Sequence, residues 1–245
     1  RWGQVAPAGL LRYRGRHLGK DFLGDFFSCH FNTHEVRHSS LVPSGSTFGA
    51  EDEVFLRPPS IDFHPTDVLE DHDGSLLVID TGGWLSWGCP TSKLAKPQLR
   101  GAIYRIRRKG GAGTTDPLGS KIDWKNGSHR YLAGLLADER PRIRDRARET
   151  LVKRGTRSEK ALVSFLSGSK NPEARARAIW TLSRTGGKDA LAALRTALTD
   201  NHAGVSQAAA RSLGELKDKA AVKSLCLIVT NGTPGARRTA AESLG

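Results

Sequence analysis

Apolar and polar positions follow two different periods along the chain. Residues 64–81, which read HPTDVLEDHDGSLLVIDT, contain two extended runs on either side of the acidic turn 70–74. The Asp73-Gly74 pair in this turn is typical of a tight β-hairpin. The second run holds four consecutive apolar residues, LLVI, as expected for a strand that is covered on both faces. This stretch therefore predicts two antiparallel strands of a buried sheet.

Other short strand-like runs in the first half of the chain group twice in the same order. The first group is 7–13, 25–31, 35–42 and 47–56, and the second is 65–69, 75–80 and 101–108. Each group begins with a Pro-led run, continues with an apolar run and then becomes more polar. Many short strands at this spacing indicate a sandwich, a barrel or a propeller, and the repeated order favours two blades of a β-propeller. Because propellers usually have about four to eight blades, we expect the chain to be the C-terminal part of a longer protein.

A helical pattern replaces the strand pattern from residue 129 onward, and it repeats with a period of 31. The recurring positions are Pro141, Pro172, Ala203 and Pro234; Ile143, Ala174, Val205 and Ala236; Ala147, Ala178, Ala209 and Ala240; Leu151, Leu182, Leu213 and Leu244; and, one helix earlier, Leu132, Val163, Leu194 and Leu225. Apolar positions at i, i+4 and i+8 form one stripe of a helix. A Pro near the start of the second helix costs little, because its missing N–H has no partner there. The pattern P-x-[apolar]-R-x-x-A-x-x-x-L resembles the short HEAT-like repeat and predicts an α-solenoid.

These patterns predict a multidomain fold of the β plus α class. Residues 1–110 are expected to form the last two blades of a β-propeller, and residues 111–124, rich in Gly and Thr, a flexible linker. Residues 125–245 are expected to form four HEAT-like units of period 31. No apolar run approaches the ~20 residues that a membrane-spanning helix needs.

The positive charge of the chain is concentrated in its second half. Residues 1–124 carry 15 Lys and Arg against 14 Asp and Glu, whereas residues 125–245 carry 23 against 11, within a net charge of +13. Such a surface could attract nucleic acid, acidic lipid or an acidic protein; alternatively, it is a solvated helix surface rich in Arg and Lys. We do not expect a nucleic-acid partner, because the aromatic residues Phe165 and Trp180 lie at core-like positions and few others could stack on bases.

One basic position recurs within the helical repeat. Arg144, Arg175 and Arg237 occupy it, and Ser206 replaces the Arg in the third unit. A row of Arg side chains could contact an acidic partner protein. The alternative is that these side chains pack on the preceding turn or pair with acidic neighbours.

The three cysteines do not form a zinc-binding pattern, because no C-x-x-C pair is present. Cys226 lies in the apolar helical run 225–229 and is predicted to be a buried thiol. Cys29 and Cys89 both fall near predicted strand ends, where they could form a disulfide in an exported protein or remain two free thiols.

Four segments of the first half resemble one family of propellers. APAGLLRY, DFFSCHFNTHEV, FHPTDVLEDHDGSLLVIDTGGW and GAIYRIRR are similar to the last two blades of six-bladed propellers of the quinone-dependent glucose and sorbosone dehydrogenase type. They are most similar to bacterial membrane-bound dehydrogenase domain proteins, in which HEAT-like repeats follow the propeller. The resemblance implies an exported protein, periplasmic or at the cell surface, whose parent oxidises a sugar or alcohol with PQQ and calcium. It also implies a cytochrome as electron acceptor, although this chain has no C-x-x-C-H haem motif.

The loops expected on one face of the propeller, around its channel, carry the candidate ligand-binding residues. These are His30, Asn32, His34, His64, Asp67, Trp84, Trp87 and Lys96. A His side chain could act as base or metal ligand, a Trp as a platform for a sugar or flat cofactor, and a Lys as an anion partner. No catalytic base can be assigned to any residue by motif.

Structural roles are the alternative for the same residues. His64 could fix the entry of the strand that follows it, Asp67 and Asp80 could bond to backbone, and the two Trp could cap the channel without a ligand. His30 and His34 have a spacing that suits a metal on a helix, but the Asn and Thr between them indicate a turn. We therefore predict no metal site. The acidic turn 70–74 lacks the spacing of a calcium loop and is predicted to be a plain hairpin turn.

Three functional hypotheses follow from these features. The first is the C-terminal part of a quinone-dependent dehydrogenase-like protein, inactive by itself, whose solenoid binds a protein partner. The second is a non-catalytic scaffold of propeller and HEAT repeats that binds protein or polysaccharide. The third, a basic solenoid that binds nucleic acid, predicts an affinity that falls steeply with salt.

Overall fold

The computed structural model describes residues 5–83, 96, 98–110 and 113–245. Two compact units divide the chain: Arg1–Val42 with Gly49–Pro117, and Pro43–Phe48 with Leu118–Gly245. We call the first the sheet unit and the second the helical unit, and we describe each separately. None of the helices in the described part of the chain has the length and apolar content that crossing a bilayer requires.

Two meandering β-sheets make up the sheet unit. The strands are β1 (Pro7–Arg12), β2 (Phe26–His30), β3 (Glu35–Ser44), β4 (Thr47–Leu56), β5 (Pro65–Glu70), β6 (Leu76–Asp80) and β7 (Ala102–Ile106). Strands β1 to β4 form one sheet in chain order, and strands β5 to β7 form the other. The β1–β2, β2–β3, β5–β6 and β6–β7 pairs are antiparallel. As described, the two sheets are not closed into a ring.

The two sheets begin in the same way. Phe31 N–H donates to Ala6 O at 3.0 Å in the first sheet, and Thr81 N–H donates to His64 O at 3.2 Å in the second. Each first strand starts with Pro, and each shows a register shift within its first few residues. The Pro has no N–H and therefore suits a position where the ladder begins irregularly.

The turns after the first strands also match between the sheets. Tyr13 N–H donates to Asp25 O at 2.8 Å, and Asp71 N–H donates to Ser75 O at 2.9 Å. The residue before each acceptor is a Gly with positive φ, namely Gly24 (95°) and Gly74 (83°). Only Gly adopts this conformation without steric cost. The grouping of the strand runs into two similar sets is therefore reproduced in the backbone hydrogen bonds.

One apolar core joins the two sheets. Its buried residues come from both of them: Tyr13, Leu18, Phe27, Cys29, Val36, Phe63, Val68, Leu76 and Val78. The first strands also touch, since a Cβ added to Gly9 on β1 would lie 2.6 Å from the Cα of Asp67 on β5. In β6 the side chains alternate between buried and half-buried, so the strand is covered on both faces as the LLVI run predicts.

Pairs of helices build the helical unit. The helices are α1 (His129–Gly134), α2 (Pro141–Arg154), α3 (Glu159–Gly168), α4 (Pro172–Thr185), α5 (Lys188–Ala197), α6 (Ala203–Glu215), α7 (Val222–Asn231) and α8 (Pro234–Leu244). The second helix of each pair begins at residue 141, 172, 203 or 234, in agreement with the predicted period. Asn171 and Thr233 cap α4 and α8 with their side-chain oxygens, and Pro follows each cap as the first helical residue.

The predicted apolar stripe forms the core of the helical unit. The four Ala of its middle position, Ala147, Ala178, Ala209 and Ala240, are each 0% exposed. A side chain this small lets the backbones of neighbouring helices approach closely. The last Leu of the stripe, Leu244, is the final residue of α8 and is 39% exposed.

The prediction for Cys226 is wrong. Its thiol is exposed on α7, whereas the preceding residue, Leu225, is 2% exposed. Adjacent helical residues point about 100° apart, so an unbroken apolar run of this length cannot lie entirely on the buried face. The 31-residue repeat correctly predicts that Leu225 is buried. The apolar run around Leu225 is not sufficient to predict that Cys226 is buried as well.

Candidate functional site

Three loops of the sheet unit meet at one edge of its sheets, which we call the loop edge (residues 30–35, 57–66 and 80–83, with Lys96). His34 Nδ1 lies 2.8 Å from Phe63 O, and His64 Nδ1 lies 2.8 Å from Gly82 O. Lys96 Nζ donates to Asp62 Oδ1 at 2.6 Å. The structure thus brings together the loops that the sequence predicts on one face.

Two of the predicted residues, His34 and His64, are in direct ring contact. Their ring centres are 5.0 Å apart at an interplanar angle of 72°, and Phe31 stacks on His64 at 4.8 Å. His34 has a left-handed backbone (φ 57°) at the end of the 3-10 turn Phe31–Thr33, which turns its ring toward the β5 entry. Both rings are half-buried.

The hydrogen bonds of these two rings fix their tautomers. A carbonyl oxygen only accepts, so Nδ1 must carry the proton in both His34 and His64. In the neutral ring this leaves the Nε2 lone pair as an acceptor or a metal ligand. Each ring therefore offers its Nε2 atom as a hydrogen-bond acceptor or a metal ligand.

Asn32 has a structural contact that Asp80 reproduces in the second sheet. Asn32 Oδ1 accepts from Ala6 N–H at 2.6 Å, and Asp80 Oδ1 accepts from His64 N–H at 2.9 Å and Gly82 N–H at 2.8 Å. Each side chain ties the end of a second strand to the entry of the first. These bonds to backbone are the alternative role given above for Asp80, and Asn32 shares it.

His30 lies on the buried side of the loop edge, in a charged cluster. It is 0% exposed, its Nε2 lies 3.2 Å from Ser28 Oγ, and its Nδ1 lies 3.8 Å from Glu35 Oε1. Burial lowers the pKa of the imidazole, and the nearby Glu35 carboxylate only partly opposes this. His30 is therefore held neutral in the interior.

Glu35 is a site residue that sequence reasoning missed. It is 3% exposed, accepts from Arg37 at 3.0 Å and also pairs with Arg57. Burial alone would raise the pKa of the carboxyl, but the hydrogen bonds from both guanidinium groups outweigh it, and the pKa is lowered. The two-residue spacing between Glu35 and Arg37, which places both on one face of a strand, was the available signal.

Asp67 and Cys29 lie away from the His pair. Asp67 sits on β5, where its Oδ1 accepts from Val68 N–H at 2.8 Å, as in its alternative structural role. Cys29 is 0% exposed, and burial, followed by the charge of Asp67, raises the pKa of its thiol to about 12. Trp84, Trp87 and Cys89 lie outside the described residues, so the ligand roles of both Trp and the Cys29–Cys89 disulfide stay predictions.

The loop edge does not by itself fit the cofactor that the resemblance implies. PQQ carries three carboxylates, which call for cationic side chains. Within the described part of this edge, Lys96 already pairs with Asp62, and Arg57 already pairs with Glu35, which also pairs with Arg37 on β3. Among the described residues, no group of three or more His, Cys, Asp or Glu side chains could hold a metal ion.

In the helical unit, the recurring Arg position caps the end of the preceding helical segment. Arg144 Nη1 donates to Asp138 O and Glu139 O, both at 2.9 Å. Arg237 Nε donates to Val229 O at 3.0 Å, and Ser206 Oγ donates to Leu198 O at 2.7 Å. Carbonyls at a helix end lack partners within their own helix, so the recurring position supplies a donor in each unit.

Arg175 shares this role and adds an ion pair between successive repeats. It donates to Ser169 O at 3.1 Å and holds the Asp200 carboxylate with two bonds of 2.9 and 2.8 Å. Burial would raise the pKa of Asp200, but the hydrogen bond from Arg175 outweighs it and the pKa is lowered. The contacts of the Arg row are thus those of the alternative interpretation, packing on the preceding turn and pairing with an acidic neighbour. Partner binding by these Arg residues stays a prediction.

Two adjoining cavities form a groove across the repeats, which we call the repeat groove. One, of ≈ 440 Å³, lies between α3 and α5, with Val163, Leu166 and Ala193 in its wall. The other, of ≈ 490 Å³, lies between the end of α5 and helices α6, α7 and α8, with Leu227 and Ile228 in its wall. The walls of both cavities include residues 199–201, so the two cavities adjoin each other there.

Comparison with known proteins supports the helical part of the sequence interpretation. Residues 159–245 match the family model of HEAT repeats, which begins at the first residue of α3 and covers three of the four helix pairs. No curated protein matches the chain, and the comparisons give no support to the dehydrogenase resemblance, which stays a prediction. The helical unit is therefore an α-solenoid whose residues 159–245 match HEAT repeats.

Proposed function

We propose that the helical unit binds a partner protein in the repeat groove. The observation that carries this proposal is that two cavities of neighbouring repeats share residues 199–201 in their walls. A groove that runs across successive repeats is the kind of extended surface that solenoids offer to a partner chain.

The surface of the groove favours a partner segment with apolar side chains. Leu227 in its wall is 56% exposed, and an exposed apolar patch with a polar rim is typical of a protein–protein contact. Asp200 and Asn201 supply that polar rim between the two cavities. The second half of the chain carries 23 Lys and Arg against 11 Asp and Glu, which favours an acidic partner through long-range attraction.

A pair of photo-crosslinking variants tests this proposal. A benzophenone amino acid is placed at Leu227, in the groove, or at Val222, which is 46% exposed on the same helix but outside the groove. We expect the probe at position 227 to crosslink a partner from the native extract and the probe at position 222 not to. The crosslinked partner, once purified, should bind the wild-type protein and lose affinity for Leu227→Glu but not for Val222→Glu.

Equal crosslinking at both positions, or an equal loss of affinity in both Glu variants, would overturn the groove as the contact surface. Crosslinks to nucleic acid instead of protein, with an affinity that falls steeply with salt, would favour the basic solenoid as a nucleic-acid binder.

We also propose that the sheet unit comprises two neighbouring blades of a β-propeller. Its support is the duplicated meander, the matching hydrogen bonds at the strand entries and turns, and the contact between the two first strands. Neighbouring blades of a propeller pack their sheets against each other around a central channel. An experimental structure should then show β1–β4 and β5–β7 as adjacent blades of one propeller; two sheets packed face to face as a β-sandwich would contradict it.

On the resemblance of its segments, the longer protein is proposed to be an exported PQQ-dependent dehydrogenase-like protein with calcium and a cytochrome acceptor. The position of the predicted loops at one edge supports a ligand-binding face. Because the cationic side chains there already form ion pairs, other parts of the propeller would have to bind the carboxylates of the cofactor. The test is to supply PQQ and calcium to that longer protein and to follow reduction of an artificial acceptor with a panel of sugars and alcohols. An absence of oxidation across the panel would leave the non-catalytic scaffold as the better hypothesis.

A further inference from the structure

Backbone carbonyls orient the rings of His34 and His64. Each ring donates its Nδ1–H to a carbonyl at 2.8 Å, so each presents an unprotonated Nε2 when neutral. Metal-binding His residues almost always donate their other ring N–H to a carbonyl or carboxylate in this way, which fixes the tautomer and the orientation. Phe31, stacked at 4.8 Å on His64, further restricts one ring.

The separation of the two rings suits a shared metal ion. Because a zinc–nitrogen bond is about 2.1 Å long, two imidazoles bound to one tetrahedral ion have ring centres about 5 Å apart. The ring centres of His34 and His64 are 5.0 Å apart. Imidazole nitrogen is the side-chain ligand that Zn²⁺, Cu²⁺ and Ni²⁺ share.

We propose that His34 and His64 form a two-histidine binding site for a transition-metal cation, with Zn²⁺ as its simplest probe. Among the described residues, no third His, Cys, Asp or Glu joins them, and a tetrahedral ion takes further ligands beyond these two. The ligands come from different sheets, since His34 follows β2 and His64 precedes β5. A bound ion would therefore link the two sheets.

This site is independent of the proposed groove in the helical unit. The sequence pairs His30 with His34 by spacing, but the structure instead places His30 against Ser28 and Glu35 and places His34 against His64. A spacing rule for a helix could not find this pair, because its members belong to different sheets and meet only through the fold.

The test is a titration of tag-free protein, previously treated with a chelator, with ZnCl₂ by calorimetry. We expect one saturable site in the wild type and a loss of affinity of at least about tenfold in His34→Ala and in His64→Ala, since loss of even a supporting contact at a metal site costs about 10–100-fold. His72→Ala is the matched control, because His72 lies exposed on the acidic turn of the same unit. Zinc should also raise the melting temperature of the wild type and of the control, but not of the two site variants.

Ring-nitrogen NMR keeps the proposal testable even where a variant folds poorly. In the wild-type protein, His34 and His64 should show the Nδ1–H tautomer, and zinc should shift both Nε2 resonances while the other His residues stay unchanged. The proposal is overturned by an absence of saturable binding, by binding that persists in both Ala variants, or by zinc-induced shifts confined to other His residues.

Discussion

The ion pair between Arg175 and Asp200 allows the internal bonding of the repeats to be tested directly. Arg175 on α4 holds Asp200 after α5, so it joins one repeat to the next. The side chains are 13% and 15% exposed, and the bidentate arrangement with bonds of 2.8 and 2.9 Å is the strong form of this interaction. We expect Arg175→Ala to destabilise the helical unit substantially.

The magnitude follows from what the substitution leaves behind. Breaking a buried ion pair costs about 3–5 kcal/mol when the remaining charge has no partner. Asp200 keeps the bond from His202 N–H at 2.8 Å, and water can reach the cavity left by the guanidinium. The loss in unfolding free energy is therefore expected to lie below that range, at about 2–3 kcal/mol, since hydrogen bonds to charged groups contribute about 1.5–3 kcal/mol.

Urea unfolding followed by far-ultraviolet circular dichroism measures this difference. The matched control is Arg211→Ala: Arg211 pairs with Glu215 one turn away, but the two side chains are 61% and 58% exposed. An exposed pair of this kind contributes less than about 0.5 kcal/mol. If Arg175→Ala costs no more than Arg211→Ala, the Arg row does not support the repeats as described.

The pH dependence supplies a second check. The pKa of Asp200 is lowered in the folded protein by the bond from Arg175, so its contribution is present above the unfolded pKa of about 3.9 and is lost as pH falls through the folded value. The stability difference between wild type and Arg175→Ala should therefore be constant near neutral pH and should shrink in acid. A difference that does not change down to the acid unfolding transition would refute the ion pair as its source.

Two further predictions concern the cores of the two units. Ala209 is 0% exposed and has no room for a larger side chain, so Ala209→Leu should lower the free energy of unfolding in urea by about 1–3 kcal/mol. The control Ala192→Leu, at an exposed position, should be nearly neutral. Equal effects of the two substitutions would contradict the close packing of the Ala stripe. Tyr13 OH donates to Gly74 O at 2.8 Å and accepts from Leu18 N–H at 3.0 Å, and burial raises the pKa of the phenol to about 12. The neutral phenol should therefore stabilise the folded protein below the ordinary pKa of about 10, and this stabilisation should be lost as pH rises toward the folded value. Ultraviolet titration should show one late-ionising phenol in the wild type that is absent from Tyr13→Phe. A difference between the two proteins at the ordinary pKa would contradict the burial of Tyr13.

The helical unit could be predicted closely because its order is local and repeated. Each helix pair presents the same stripe at the same offsets, so four copies of one pattern support each prediction about Ala147 or Ala178. The Pro residues were predicted near the start of the second helix, and Pro141, Pro172 and Pro234 are each the first helical residue. The prediction that Cys226 is buried was wrong because a short apolar run, unlike the repeat, does not indicate which side of the helix a residue occupies.

The sheet unit was less predictable because its contacts join distant residues. The order of the strands could be read from the sequence, since strand runs and turns are local features. The contact of His34 with His64, and the packing of β1 against β5 at Gly9, depend on how two sheets meet. Sequence spacing carries no information on such contacts, and it therefore grouped His34 with His30.

Positions that repeat along the chain differ in role from positions that do not. The Arg at the recurring position was a candidate for partner contact because it repeats, yet in each unit that position donates to the end of the preceding helical segment. Ser206 makes the equivalent bond without any charge, which shows that a donor is what the position requires. The residue at this recurring position therefore has a structural role, donation of a hydrogen bond to a helix end, that all four units share. The candidate sites, the His34–His64 pair and the exposed Leu227 of the repeat groove, lie instead where the pattern does not repeat.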